Sequence, residues 1–510
     1  MSDRYDRQER IEGWDQTKLE TAYVAVVGAG PVAQAATLCM AGLGVGELRI
    51  FDNARVSSNY LPSNFQMRGA KPGESMAKVL EQRLQKFNPI MKIKGLHWKF
   101  DQHYFADAVF GRKPDVVLDC TNDPYQELIL YAYGQANGIP VVNTSANENK
   151  YELAVLMPDR NFKVPEDFYL DDTSLEKVLA KIPYDYIQAK FRGEDQKGLA
   201  SLMVGGLATD QVRKFIMPLD EADRPLRGIF RYNELSKDRI QLQLGSKAPI
   251  GDVSSALSKI VWPDELNIVI VGAGSIGNSA GLALAVSGGS TINAHIFDKD
   301  EVEEVNLNRQ VLFKMSDIGR NKVDALAQTM NEINGNINVF PHPEFFTADT
   351  KLPKPDAILV CTDSFRSRKL VNDYAKLHGI PLISGGTNFS SFDVVNYVPG
   401  TTRCLCEIDV DVNAEKEAEA ARHSCIHVVE PSVIIPNWLA GVQMVMQIPH
   451  ALSPADHDPV SGRITGSIYS PNLMNVQRKP ICDCADKMQK QKKRSTRKKR
   501  KPASSSTASA

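Results

Sequence analysis

The chain has almost no net charge. Its 60 Lys and Arg stand against 61 Asp and Glu over 510 residues, a formal balance of −1. No global field draws it to nucleic acid or to an anionic membrane, and no specific nucleic-acid partner is expected. It lacks any run of ~18 apolar residues, which argues against a membrane span. Its opening, "MSDRYDRQER", is polar and has no signal-peptide hydrophobic stretch, so the expected compartment is the cytoplasm. Cysteine is scarce: eight residues, unevenly placed, do not make a disulfide scaffold. Cys39, Cys120 and Cys361 stand in apolar segments and read as core thiols. Cys404, Cys406, Cys425, Cys482 and Cys484 crowd the C-terminal fifth. With 43% hydrophobic and 24% charged residues the composition is that of a soluble globular protein. Its length is too great for one ordinary core.

The chain repeats itself. "YVAVVGAGPVAQAATLCMAGLGVGELRIFDNARV" from Tyr23 matches "NIVIVGAGSIGNSAGLALAVSGGSTINAHIFDKDEV" from Asn267. Each reads as an apolar strand, a glycine turn, a helix rich in small residues and a second strand ending in "IFD". Farther on, "PDVVLDCTNDPYQELILYAYGQANGIPVV" matches "PDAILVCTDSFRSRKLVNDYAKLHGIPLI". Two copies of one α/β unit, offset by about 240 residues, are expected, each with a mostly parallel sheet. The fold class is therefore two tandem Rossmann-like doubly wound domains. The first spans residues 1–245 and the second 246–486, followed by a basic, Ser/Ala-rich tail over 487–510 expected to be disordered. That tail reads as a solubilising segment, with targeting or nucleic-acid contact as the alternative.

The copies differ where chemistry would occur. In copy two, "GAGSIG" supplies Gly272 for a tight turn, Gly274 for close approach of a phosphate and Gly277 for helix–sheet packing. Copy one has "GAGPVA", with Ala33 in the third place. After "IFD", copy two continues "DKDEVEEVNLNRQ", with Asp298 placed to hold a ribose and a polar tail carrying Asn306, Asn308, Arg309 and Gln310. Copy one has "DNARVSSNYLPSNFQ", with no arginine beside the glutamine. "SDIGRNKV" puts Lys322 at a helix start. "ILVCTDS" puts Asp363 at the C-terminal end of a strand, where open α/β sheets bind ligands; copy one has Asn122 there. Two cations suit a polyphosphate and a nearby aspartate suits Mg²⁺.

With these motifs in order, copy two resembles the adenylating domain of the ubiquitin-activating enzyme family, ThiF-type adenylyltransferases that include those of thiamine and molybdopterin biosynthesis. Copy one resembles the inactive half of the family's asymmetric members, and "RYDRQ" resembles the family's opening. The resemblance covers roughly residues 3 to 484 and implies a monomeric, fused pseudo-dimer with one live ATP site. It implies that Arg7, rather than Arg4, reaches that site from the other half. Arg309 and Lys322 would hold phosphates, Asp363 would hold Mg²⁺, and Asn306 and Gln310 would orient the α-phosphate. The substrate it implies is the C-terminal Gly-Gly carboxylate of a ubiquitin-like protein; a sulfur-carrier protein or peptide, adenylated without an enzyme thioester, is the alternative. Recruitment of a downstream conjugating enzyme is unsupported by the sequence, since no alignable ubiquitin-like-fold domain is seen after copy two. Outside the family, an NAD-dependent dehydrogenase is a further reading, but it offers no role for Arg309 and Lys322.

Two cysteine features remain. "TTRCLCE" and "PICDCAD" are C-x-C pairs whose four thiolates, Cys404, Cys406, Cys482 and Cys484, suit structural Zn²⁺, with free thiols as the alternative. The family's usual pairs are C-x-x-C, one residue wider. Cys425 follows the polar segment "VDVNAEKEAEAA", read as a mobile crossing, and precedes an apolar helix entered near Pro436. A helix N-terminus together with His423 and His427 would lower its pKa. The resemblance implies a thioester there; an incidental thiol is the other reading.

Overall fold

The structure is a computed structural model. It describes residues 3–99, 110–157, 198–244, 257, 259–287, 289–423, 430–467 and 473–484. Copy one comprises β1 (Tyr23–Val27), α1 (Pro31–Leu43), β2 (Glu47–Phe51), α2 (Met76–Phe87), β3 (Lys92–Leu96), β4 (Val116–Asp119), α3 (Pro124–Asn137), β5 (Val141–Ala146), β6 (Lys150–Leu156), α4 (Gly198–Ile216), β7 (Gly228–Asn233) and β8 (Ile240–Leu244). Copy two begins with β9 (Glu265–Val271), α5 (Ser275–Ser287), β10 (Thr291–Phe297), α6 (Lys322–Ile333), β11 (Ile337–His342) and β12 (Ala357–Val360). It continues with α7 (Phe365–His378), β13 (Leu382–Thr387), β14 (Ser391–Tyr397), α8 (Val410–His423), α9 (Ile434–Met446), β15 (Gly462–Ser467) and β16 (Met474–Arg478).

The central strands "YVAVV" and "ELNIVIV" are rich in β-branched residues and almost wholly buried, as strands covered on both faces must be. Each copy forms an 8-stranded sheet, in the orders β3-β2-β1-β4-β5-β6-β7-β8 and β11-β10-β9-β12-β13-β14-β15-β16. The first five strands of each order run parallel and the last three antiparallel. The chain winds one way from β1 to β3, then returns to β4 on the other side of β1. That reversal opens a crevice at the C-terminal ends of β1 and β4, and its twin at β9 and β12.

The halves share one continuous hydrophobic core. Its seam runs between α4 and α9. Trp438 is fully buried and donates its indole N–H to the Leu202 carbonyl across the seam at 2.8 Å. Opposite it, a Cβ on Gly206 would lie 2.7 Å from the Trp438 ring, so only glycine admits the ring there. The Trp438→Ala substitution is expected to cost about 3–5 kcal/mol, read as a lower urea midpoint. A loss below ~1 kcal/mol would mean that the seam is not a packed core. Polar ties reinforce it: the buried Arg239 guanidinium donates to Gln447 Oε1 (2.9 Å) and to the Asp458 carbonyl (2.6 Å).

One expectation is corrected. The segment "VDVNAEKEAEAA" is not a loose crossing but most of helix α8. Its Ala, Glu and Lys residues are strong helix formers. Asp411 and Glu417 dock it on α7, through Lys369 at 2.9 Å and the Arg366 amide at 2.9 Å. Among the described residues, no helix is long and apolar enough to cross a membrane.

Candidate active site

The crevice of copy two starts from the glycine turn. Gly272 adopts φ +99, and its amide donates to the Phe297 carbonyl at 2.9 Å. A Cβ on Gly277 would fall 1.9 Å from the Gly272 carbonyl oxygen, so the loop closes only with glycine in the third place. A Cβ on Gly274 would meet nothing within 4 Å, which leaves open space above that backbone.

Asp298 leaves the end of β10 and accepts from the Ala273 amide (2.7 Å) and the Asp300 amide (2.9 Å). The carboxylate therefore shapes the glycine turn as well as facing the crevice. Burial raises its pKa, opposed by these amides and by the nearby Lys322. Lys322 opens α6, as expected, and its ammonium pairs with Asp300 at 3.1 Å. Asp363 stands exposed in the loop after β12. That loop touches the glycine turn: a Cβ on Gly272 would lie 3.0 Å from the Cys361 carbonyl.

The polar tail folds into a short 3-10 turn at Glu304–Asn306. Asn306 caps it by accepting the Glu303 amide at 3.0 Å. Arg309 is buried beneath, donating to the Val305 carbonyl (2.6 Å) and to Asn308 Oδ1 (2.9 Å). Burial, and next the charge of Arg7, lower the Arg309 pKa to about 10. Arg309 is thus a buried cation in a setting that disfavours its charge, and an anion is the group that relieves it. Gln310 Oε1 and Asn278 Nδ2 are buried polar atoms without a hydrogen-bond partner, an expensive state unless a ligand completes them.

The structure separates the two candidate arginines. Arg4 lies over the Phe87 ring and donates to the Phe87 and Leu307 carbonyls at 3.0 and 3.1 Å, a tie that braces the tail from below. Arg7 is only partly buried. It donates to the Glu430 carbonyl (3.1 Å) and accepts at its own carbonyl from the Ser432 amide (3.1 Å), where the chain enters α9.

Sequence reading gave Asn308 no role. In the structure it links the halves: its amide donates to Gln8 Oε1 (3.2 Å) while its Oδ1 holds Arg309. Gln8 is itself anchored on Gln16 Oε1 (2.7 Å) and the Leu43 carbonyl (3.0 Å). The only signal was one more polar residue in "NLNRQ". Asn308→Ala is expected to lower the site's turnover about tenfold, a loss of about 1.4 kcal/mol in orienting Arg309. The check is turnover at saturating ATP, with unchanged thermal stability excluding a folding defect.

The four paired cysteines converge. All four Sγ atoms of Cys404, Cys406, Cys482 and Cys484 lie within 4.8 Å of one another, and Cys404 and Cys482 are 3.6 Å apart. Sulfurs roughly 3.8 Å apart are what tetrahedral zinc with ~2.3 Å bonds requires. The short turn at Leu405–Ile408 lets the tight C-x-C bite work, because Cys406 folds back to donate its amide to Cys404 Sγ. The donor set fits Zn²⁺. It would staple the turn after β14 to the segment after β16.

Cys425 and His427 lie outside the described residues. The apolar helix expected after Cys425, α9, begins at Ile434. Cys39, Cys120 and Cys361 are buried, as expected.

Fold and crevice together define a Rossmann-type nucleotide-binding protein built as a tandem pseudo-dimer. The chain belongs to the ThiF family, which matches residues 5–249 and again 264–491. It is similar to the "Adenylyltransferase and sulfurtransferase UBA4" of Meyerozyma guilliermondii, 36% identical over 143 residues, which is 27% of this chain and 33% of that protein. It is also similar to the "Adenylyltransferase and sulfurtransferase MOCS3" of Culex quinquefasciatus, 38% identical over 122 residues, 23% of this chain and 27% of that one. The match thus spans about a third or less of these curated relatives. Among solved structures, E. coli MccB with ATP is 25% identical at a TM-score of 0.35, covering 43% of this chain and 66% of that one.

Proposed function

We propose that copy two adenylates the C-terminal carboxylate of a ubiquitin-like or sulfur-carrier protein. The carboxylate attacks the α-phosphate of ATP, an acyl–phosphate bond forms, and pyrophosphate leaves. The observation that carries this reading is the buried guanidinium of Arg309, oriented by the Val305 carbonyl and Asn308 Oδ1 in the polar tail beside the crevice. Such a cation is poised for the charge that grows on departing pyrophosphate. Asp298 takes the ribose, Lys322 a phosphate, and the unpaired amide atoms of Gln310 and Asn278 the adenylate. Asp363 would hold Mg²⁺, which would supply neutralisation of phosphate charge. Copy one lacks the arginine and the second aspartate, so one site turns over.

The similarity to adenylyltransferase–sulfurtransferases supports a sulfur-carrier substrate as well as a modifier. A thioester on Cys425 separates the two readings. If it forms, Cys425→Ala abolishes a reductant-sensitive conjugate with the carrier while ATP–pyrophosphate exchange survives. If wild-type protein gives exchange and no such conjugate, the enzyme is an adenylyltransferase alone. Exchange is measured against small proteins ending in Gly-Gly. Nicotinamide reduction without ATP turnover would overturn both in favour of a dehydrogenase.

A further inference from the structure

We propose that the crevice of copy one is a second, non-catalytic site for a nucleoside or nucleoside monophosphate. It is a cavity of about 440 Å³ whose walls include Gly28, Asp52, Trp98, Lys99 and Asn122. That volume lies within the range of small-ligand sites.

Its ribose-facing half matches copy two. Gly28 turns at φ +104 where Gly272 turns at +99. Asp52 accepts from the Ala29 and Ala54 amides as Asp298 accepts from those of Ala273 and Asp300. The phosphate-facing half is different, and two matching bonds set the register for comparing it. Gln66 donates its amide to Gln34 (2.9 Å) as Leu312 donates to Asn278 (2.8 Å). Counted from these, Ser63 stands where copy two has Arg309, and Met76 opens α2 where Lys322 opens α6. Asn122 replaces Asp363, and its amide is spent on both backbone atoms of Ala146, at 2.8 and 3.0 Å.

These replacements remove two cations and the aspartate at the Asp363 position, leaving Asp123 beside Asn122 on the wall, and none fills the space. The retained carboxylate suits a sugar diol. The partly exposed ring of Trp98 offers a plane for a base, and Lys99 is a cation sufficient for one phosphate. A triphosphate would lack the cations that Arg309 and Lys322 supply in copy two. The site stands independently of the chemistry assigned to copy two.

The test is equilibrium dialysis of the full chain with labelled AMP, repeated with adenosine. Two equivalents per chain are expected. Asn53→Trp, an exposed position at the cavity wall, blocks the mouth without touching the Asp52 bonds; it should leave one equivalent, as should Asp52→Asn. Asp298→Asn should leave the copy-one equivalent, with its dissociation constant unchanged. Binding of adenosine within tenfold of AMP would identify a nucleoside site, and a wider gap a monophosphate site. The proposal is overturned if wild type binds one equivalent that Asp298→Asn removes, or two that Asn53→Trp leaves intact. One equivalent that Asp298→Asn spares and Asn53→Trp removes would uphold copy one and count against copy two.

Discussion

Arg309→Ala is expected to lower ATP–pyrophosphate exchange by roughly 10²–10³-fold, the loss seen when one preorganised donor to developing charge is removed. The guanidinium is buried and oriented by Val305 and Asn308. Its pKa of about 10 keeps it charged at neutral pH. Because burial and Arg7 disfavour that charge in the folded chain, the sign of the linkage is clear. A basic group with a lowered folded pKa costs stability below that pKa, and the cost fades only once pH rises beyond it. Arg309→Ala should therefore leave the chain as stable as wild type, or more so, at pH 7 while activity collapses. Loss of both together would point to a structural arginine. Arg4→Ala, by contrast, should lower the melting temperature, since Arg4 braces the Phe87 and Leu307 carbonyls.

Removing the metal from the cysteine cluster is the second large effect. The protein purified from zinc-containing medium is expected to carry one Zn²⁺ per chain, and Cys404→Ser to carry none. A metal present a thousandfold above its dissociation constant stabilises the folded state by about 4 kcal/mol. Chelation should therefore lower the melting temperature by several degrees and leave the nucleotide crevice able to bind. Wild-type chain free of zinc, with four titratable thiols, would establish the free-thiol reading.

Much of this was legible because it is local. Glycine spacing, the acid after "IFD" and the helix start at Lys322 each depend on a few consecutive residues, and the repeat displayed each twice. Even the loss of the arginine in copy one was visible. Another feature was not legible for want of distance. The polar stretch before Cys425 reads as a loose crossing, yet its propensities and its ties to α7 make it a helix.

The sequence by itself determined the two α/β units, their glycine turns and the chemical asymmetry between them, because strand, turn and helix signals act over a few residues. Only the tertiary structure decided that Arg4 braces the Phe87 and Leu307 carbonyls while Arg7 meets the chain at Glu430 and Ser432. It alone brought Gln8 to Asn308 across 300 positions and drew two tight cysteine pairs into one cluster. Those outcomes depend on how two halves pack across a shared core, and packing is a property of shapes that no local pattern carries.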